Sequence, residues 1–249
     1  MLQGLFCVLV LWAVVSPAQR VRLERWFARR LMAILRVRVD AVFEVPQAQY
    51  AEHGPVLLYS NHVSWIDIFA FNAVAPVTFI AKSEISQWPL AGTLAKRSGT
   101  LFIERGRRHA VREVIEAAAK VLGQGRTVAV FPEGTTGTGR EPLPFHSNFV
   151  QPAIAAGVPL LPVTLQYVEP NGRFTEAPAF VGEQTLLDNI RVLVTAPQGF
   201  VCRLTFHAPI DVEGNTRHTL SAQARSVIEA RMAEGAYGSM GTPGSCAGT

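Results

Sequence analysis

The sequence predicts an α/β protein: a single layered domain with a mixed, largely parallel sheet flanked by helices, preceded by an N-terminal membrane-associated helical segment. Three observations carry this. Short apolar runs that read as strands alternate with helical runs between residues 36 and 234, the pattern left by strands joined through crossover helices. Two polar turns, one bearing a histidine and one rich in glycine, each follow directly on an apolar strand run, and binding sites in open α/β sheets gather beyond strand ends. The first 38 residues differ in composition from the rest. The expected division is a membrane-anchoring helical segment at 1–38, the folded domain at 39–234 and a disordered tail at 235–249.

Residues 1–15 are almost entirely apolar and carry no charged side chain. As a helix they reach about 23 Å, short of the roughly 30 Å hydrocarbon core. A cleaved signal peptide lacks its positive n-region here, although Ser16-Pro17-Ala18 is a passable cleavage context. A spanning helix needs more residues. An uncleaved re-entrant or interfacial anchor fits the length and is the expectation. Residues 19–35 form an amphipathic helical pattern, with Val21, Leu23, Trp26, Phe27, Leu31 and Ile34 on one broad face and arginines at its edges. Such a face lies on an anionic membrane or packs on the core. Residues 20–38 hold seven arginines against one acid, a local +6 in a chain of net charge +4. Basicity confined to the flank of an apolar run points to a membrane surface on the cytoplasmic side, and no nucleic-acid partner is expected.

Residues 36–45 alternate apolar and polar and read as the first strand. Further strand runs lie at 55–60, 77–81, 99–103, 127–131, 159–167 and 201–207, with helical runs at 66–74, 87–97, 107–122, 147–156 and 217–234. The last fifteen residues hold five glycines and no charged side chain, hence the expected tail.

Composition excludes several classes. With 49% hydrophobic residues and a mean hydropathy of +0.21, the chain is apolar enough to point to lipid contact. Its three cysteines are scattered without a C-x-x-C, and its six histidines without an H-E-x-x-H. Neither a disulfide scaffold nor a metal site is expected. Gly137 and Gly139 complete no G-x-G-x-x-G, and no G-K-[ST] follows. No cofactor is expected.

The chemistry concentrates in Asn61-His62-Val63-Ser64-Trp65-Ile66-Asp67. A histidine held by a carboxylate is the usual general base near neutral pH. Five residues on one continuous helix turn through about 500°, leaving the two side chains about 140° apart. They meet only if His62 sits in the loop after strand 55–60 and Asp67 in the first turns of the next helix. Ser64 reads as a helix cap or a wall of the site, not a nucleophile. No G-x-S-x-G elbow occurs.

The second signature is Phe131-Pro-Glu133-Gly134-Thr135-Thr136-Gly137, a strand running into a turn. Gly134 lets backbone approach a ligand, and successive N–H groups there cradle an anion.

Along the chain stand, in order, H-x-x-x-x-D at His62 and Asp67, Phe102-Ile-Glu-Arg105, Phe131-Pro-Glu-Gly-Thr135, and a late proline in Leu161-Pro162-Val-Thr-Leu165. Over residues 40–210 this resembles the glycerolipid acyltransferase family, the bacterial 1-acyl-sn-glycerol-3-phosphate (lysophosphatidate) acyltransferases. The resemblance implies transfer of a fatty acyl group from acyl-ACP or acyl-CoA to a lysophospholipid hydroxyl, with 1-acyl-sn-glycerol-3-phosphate first and phosphatidate as product. His62 would be the base and Asp67 would hold it. Arg105 would grip the acceptor phosphate through paired hydrogen bonds. Glu133, Gly134 and Thr135 would line the acceptor site, with Glu133 holding an arginine or a glycerol hydroxyl, since like charges repel. Lys82 is a second candidate for phosphate or for the acidic carrier. The 161–167 segment is core on physical grounds; the family ties it to the acyl-chain or donor side. The F-P-E-G-T-[ST]-x-x-G-x…L-P-F pattern of Phe131 to Phe145 keeps a lyso-ornithine lipid acceptor as the alternative. The implied partners are membrane lipids, the lysophospholipid and a CoA or acyl-carrier-protein thioester, at the cytoplasmic face of a bacterial inner membrane. Other classes that the His/Asp pair allows are an ester hydrolase and a non-catalytic lipid-binding protein.

Overall fold

The computed structural model describes residues 16–46, 50, 53–87, 92, 95–96, 99–103 and 108–237. The described strands are β1 (Val37–Phe43), β2 (Leu57–Ser60), β3 (Thr78–Lys82), β4 (Leu101–Ile103), β5 (Val128–Val130), β6 (Leu160–Val168) and β7 (Phe200–Phe206). They form one sheet in the order β1-β7-β6-β2-β5-β3-β4. Only β6 and β7 pair antiparallel, so β1 and β7 run against the other five. The sheet is mixed and largely parallel, as expected.

The described helices are α1 (Pro17–Ile34), α2 (Asp67–Val74), α3 (Arg108–Gly123), α4 (Gln151–Ala156), α5 (Leu186–Thr195) and α6 (Arg217–Tyr237), with 3-10 turns at Ser83–Gln87 and Ser147–Val150. They cover both faces. On one face Met32 of α1, Ala70 and Phe71 of α2 and Leu193 of α5 pack on Leu58, Ala129, Leu161, Val163 and Leu165. On the other, Val114, Ala118 and Leu122 of α3, Ala153 of α4 and Leu220 and Ala224 of α6 pack on Leu57, Tyr59, Val128, Val130 and Leu160. Alternate strand residues thus face opposite layers, as the two-residue period requires. All nine residues of β6 are buried, as befits a sheet interior covered twice.

Helix α1 begins earlier than the apolar period indicates, because Ser16 and Gln19 form a capping box around Pro17 at the first turn. Residues 1–15 lie outside the described residues, and among the described ones no helix is long and apolar enough to cross a membrane. The 87–97 helix expectation also falls mostly outside them. The 147–156 run divides into a 3-10 turn and a short α-helix, because Pro152 fits only the first helical turn. The tail boundary needs correction: α6 continues through Tyr237. Gly235 is inside it, and any Cβ there would stand 2.3 Å from the Gln166 side chain. The sequence reading leaves 168–200 without an element. Helix α5 lies there, started by a capping box of Thr185 and Asp188.

The topology brings the two signature turns side by side. Tyr59 pairs with Val130 in parallel register, so the chain leaves both strands at the same end of the sheet, into His62 and into Phe131. Asn61 continues that edge with its side chain, donating to the Leu165 carbonyl at 2.9 Å and accepting from the Leu165 N–H at 2.8 Å. An amide thus takes the place of a strand residue, and its buried polar groups are satisfied.

Candidate active site

Asp67 is the first residue of α2 and is wholly buried, while the His62 side chain keeps 17% of its surface exposed. The carboxylate is shut off from solvent and the imidazole is reachable. His62 Nδ1 lies 2.8 Å from Asp67 Oδ2. The same oxygen accepts the backbone N–H groups of Val63 at 2.7 Å and Ser64 at 2.9 Å. Tyr167 donates its hydroxyl to Oδ1 at 2.6 Å. An ionised carboxylate accepts only, so the imidazole proton sits on Nδ1 and the Nε2 lone pair is left free. The positive end of the α2 dipole also favours the anion. The loop-then-helix arrangement that the spacing demands is the one observed.

The imidazole is stacked on Phe131, centroids 4.0 Å apart and planes within 7°. The loops are laced together through backbone. His62 donates its N–H to Glu133 Oε2 at 3.2 Å, and Gly137 donates to the His62 carbonyl at 2.8 Å. Glu133 Oε1 accepts the Leu143 N–H at 3.1 Å. Both Glu133 oxygens are therefore engaged with backbone in a buried setting; they join the two turns. Burial pushes the Glu133 carboxyl up to about 8; its bonds from His62 and Leu143 oppose the shift, the Asp67 charge adds to it, and Arg225 opposes it.

A strap between β6 and β7 closes over these turns. Phe180 donates its N–H to the Val63 carbonyl at 2.9 Å, and Thr136 donates its hydroxyl to the Phe180 carbonyl. Trp65 Nε1 donates to Oδ1 of the buried Asn189 on α5 at 2.9 Å.

Of the sequence-predicted residues, His62, Asp67 and Glu133 come together. Gly134 takes a left-handed φ of +67° in the turn after Glu133, the conformation that glycine supplies without strain, and Thr135 beside it is exposed. Lys82 ends β3, its backbone paired with Ile103. Arg105 lies outside the described residues. Ser64 does not cap α2, which has no side-chain cap. Its buried hydroxyl has no hydrogen-bond partner among the described residues, and Asp67 itself binds the loop N–H groups. Sequence reasoning missed Tyr167, which reads as one more core residue of an apolar strand, and Asn61, whose role depends on its neighbour β6. Cys202 on β7 pairs across the sheet with Tyr167; burial pushes both groups up, and the Asp67 charge adds to the shift. Among the described residues no group of three or more His, Cys, Asp or Glu could hold a metal ion.

A partly exposed imidazole anchored by a buried carboxylate is an arrangement able to activate a hydroxyl. The comparisons give its class. Residues 42–166 match the family model described as Acyltransferase. The chain is 38% identical over 216 residues to a lyso-ornithine lipid O-acyltransferase of Pseudomonas aeruginosa, covering 87% of this chain and 80% of that protein. It is 36% identical to a 1-acyl-sn-glycerol-3-phosphate acyltransferase of Neisseria gonorrhoeae, covering 80% and 77%. The crystal structure of the 1-acyl-sn-glycerophosphate acyltransferase PlsC from Thermotoga maritima shares the fold, with a TM-score of 0.63, 24% identity, and 91% and 86% of the chains covered. This chain belongs to the acyltransferase family, and it is an acyl-transferring enzyme.

Two predictions follow from the geometry. Tyr167→Phe leaves Asp67 Oδ1 without its donor; it should lower stability by about 1–3 kcal/mol and kcat by roughly tenfold with KM little changed, equivalent to about 1.4 kcal/mol in the barrier, as read by thermal melting and steady-state kinetics. The raised carboxyl of Glu133 contributes stability below the ordinary carboxyl range of about 4.3 that is lost as pH rises through its folded value. The melting temperature should therefore fall between pH 5 and 8, and Glu133→Gln should flatten that slope. A wild-type melting temperature that is level or rising over this range would contradict the assignment.

Proposed function

We propose that this protein O-acylates a lysolipid at a membrane surface, with lyso-ornithine lipid as the first acceptor and 1-acyl-sn-glycerol-3-phosphate as the second. The observation that carries the chemistry is the His62–Asp67 pair at 2.8 Å, with Asp67 saturated by three further donors. His62 Nε2 takes the proton of the acceptor hydroxyl as its oxygen attacks the thioester carbonyl. The tetrahedral species collapses, the C–S bond breaks, and the imidazolium proton goes to the departing sulfur. The products are an ester and a free thiol, and Asp67 stabilises the imidazolium between the two steps. A thioester is already activated, so no acyl-enzyme is needed.

The acceptor reading rests on two supports. Identity and coverage are somewhat higher with the lyso-ornithine lipid enzyme of Pseudomonas aeruginosa than with the Neisseria gonorrhoeae lysophosphatidate enzyme. The Phe131 to Phe145 pattern also departs from the simplest form of the lysophosphatidate signature. The sequence expectation put lysophosphatidate first, and the comparisons favour the reverse order. Membrane seating is supported by α1, where Trp26 is half-exposed beside the exposed Arg22 and Arg30; an aromatic flanked by cations suits an anionic interface. Arg105 remains the proposed phosphate contact for the second acceptor.

The test is acyl transfer by purified protein in mixed micelles. Palmitoyl-CoA and palmitoyl-ACP are each offered with lyso-ornithine lipid or lysophosphatidate, alongside His62→Ala. The expected result is a diacyl product with lyso-ornithine lipid that falls by about 10²–10⁴-fold in the variant. Product from lysophosphatidate alone would reverse the acceptor order. Free fatty acid without lysolipid consumption would make the protein a hydrolase.

A further inference from the structure

Helix α2 is only eight residues long, with Asp67 at its start. Its last four carbonyls have no partner within the helix. The N–H of Ala75 returns to Phe71 at 2.9 Å, and Ala75 itself is extended, so the chain leaves without a further cap. The donors for the next carbonyls come from α1. Arg29 Nε donates to the Ala73 carbonyl at 3.0 Å, Arg25 Nε to the same carbonyl at 3.3 Å, and Arg25 Nη2 to the Val74 carbonyl. Two guanidinium groups thus stand at the negative end of a dipole whose positive end faces Asp67. The helices also touch through Phe27 and Phe69, edge to face at 6.3 Å.

We propose that Arg25 and Arg29 are positioning residues for acyl transfer. They clamp the far end of the helix that carries Asp67 and so hold that carboxylate, and His62 with it, against the turn at 131–139. This inference rests on the reading of His62 and Asp67 as the base and its orienter. The fully buried apolar face of this short helix is Ala70, Phe71 and Ala73, with Ile68, Phe69 and Val74 packed half-buried beside it. Its one large fully buried side chain, Phe71, touches Phe131 at 6.1 Å, the ring on which His62 stacks. A tilt of α2 therefore moves both supports of the imidazole at once, and displacements near 1 Å cost on the order of 10²-fold in rate. Arg22 and Arg30, exposed beside Trp26, carry the membrane contact, so the basic helix divides its arginines between two tasks.

The experiment compares Arg25→Ala/Arg29→Ala with Arg22→Ala/Arg30→Ala in mixed micelles at saturating substrates, with vesicle sedimentation in parallel. The first pair should lose about tenfold in kcat with both KM values within twofold, and keep vesicle binding. The second pair should weaken vesicle binding. Lysines at 25 and 29 should restore part of the lost kcat. If the double alanine variant does not fold, Arg29→Ala alone decides, with at least a threefold loss of kcat expected. Unchanged kcat in the folded variant, or loss of vesicle binding alone, overturns the inference. Activity surviving in His62→Ala and Asp67→Asn would instead overturn the reading beneath it.

Discussion

A carboxylate with no solvent exposure must be matched by donors, and the site is arranged around that requirement. Stripped of water, the charge of Asp67 would cost several kcal/mol. Four donors offset this: the His62 imidazole, two backbone N–H groups of its own loop and the Tyr167 hydroxyl. Three of the four come from residues 62–64, so satisfying the carboxylate also folds the loop that carries the histidine. The fourth comes from β6, which ties the loop to the buried middle of the sheet. The same bonds that make the aspartate tolerable in the interior select which imidazole nitrogen keeps its lone pair.

The second turn is held by the first. Glu133 accepts the His62 N–H and Gly137 returns a bond to the His62 carbonyl, so the two loops form one rigid unit at the end of β2 and β5. Phe131 provides the stacking floor, and the backbone of Phe180 joins the Val63 carbonyl of one loop to the Thr136 hydroxyl of the other. A site made of loops gains the precision of a site built on strands when its members are bonded to one another and to the sheet edge. At the far end of α2, Arg25 and Arg29 meet carbonyls that the short helix cannot satisfy itself.

Much of this was legible in the residues. All seven strand runs appear, because apolar strand patterns bounded by turns survive into a doubly covered sheet. Helical geometry set the condition for His62 and Asp67 to meet, a loop position for one and a helix start for the other, and the structure meets it. Other features depend on what stands opposite. Tyr167 is one apolar-looking residue in a buried strand until Asp67 lies against it. Glu133 seemed suited to a ligand, yet its partners are two backbone N–H groups that only the fold brings near. Helix α5 went unread, though Thr185 and Asp188 carried its start signal. Arg25 and Arg29 read as part of a basic surface, since no local pattern says that a helix end needs them.

The central claim is that Asp67 holds His62 with its proton on Nδ1. Nitrogen-15 NMR of histidine-labelled protein, with the His62 signals assigned by difference against His62→Ala, reads the tautomer directly in the neutral state. The account predicts a protonated Nδ1 and a bare Nε2, and loss of that preference in Asp67→Asn. A neutral His62 protonated at Nε2 in the wild type would contradict it, because the nitrogen facing the acceptor would then have no lone pair to act as base.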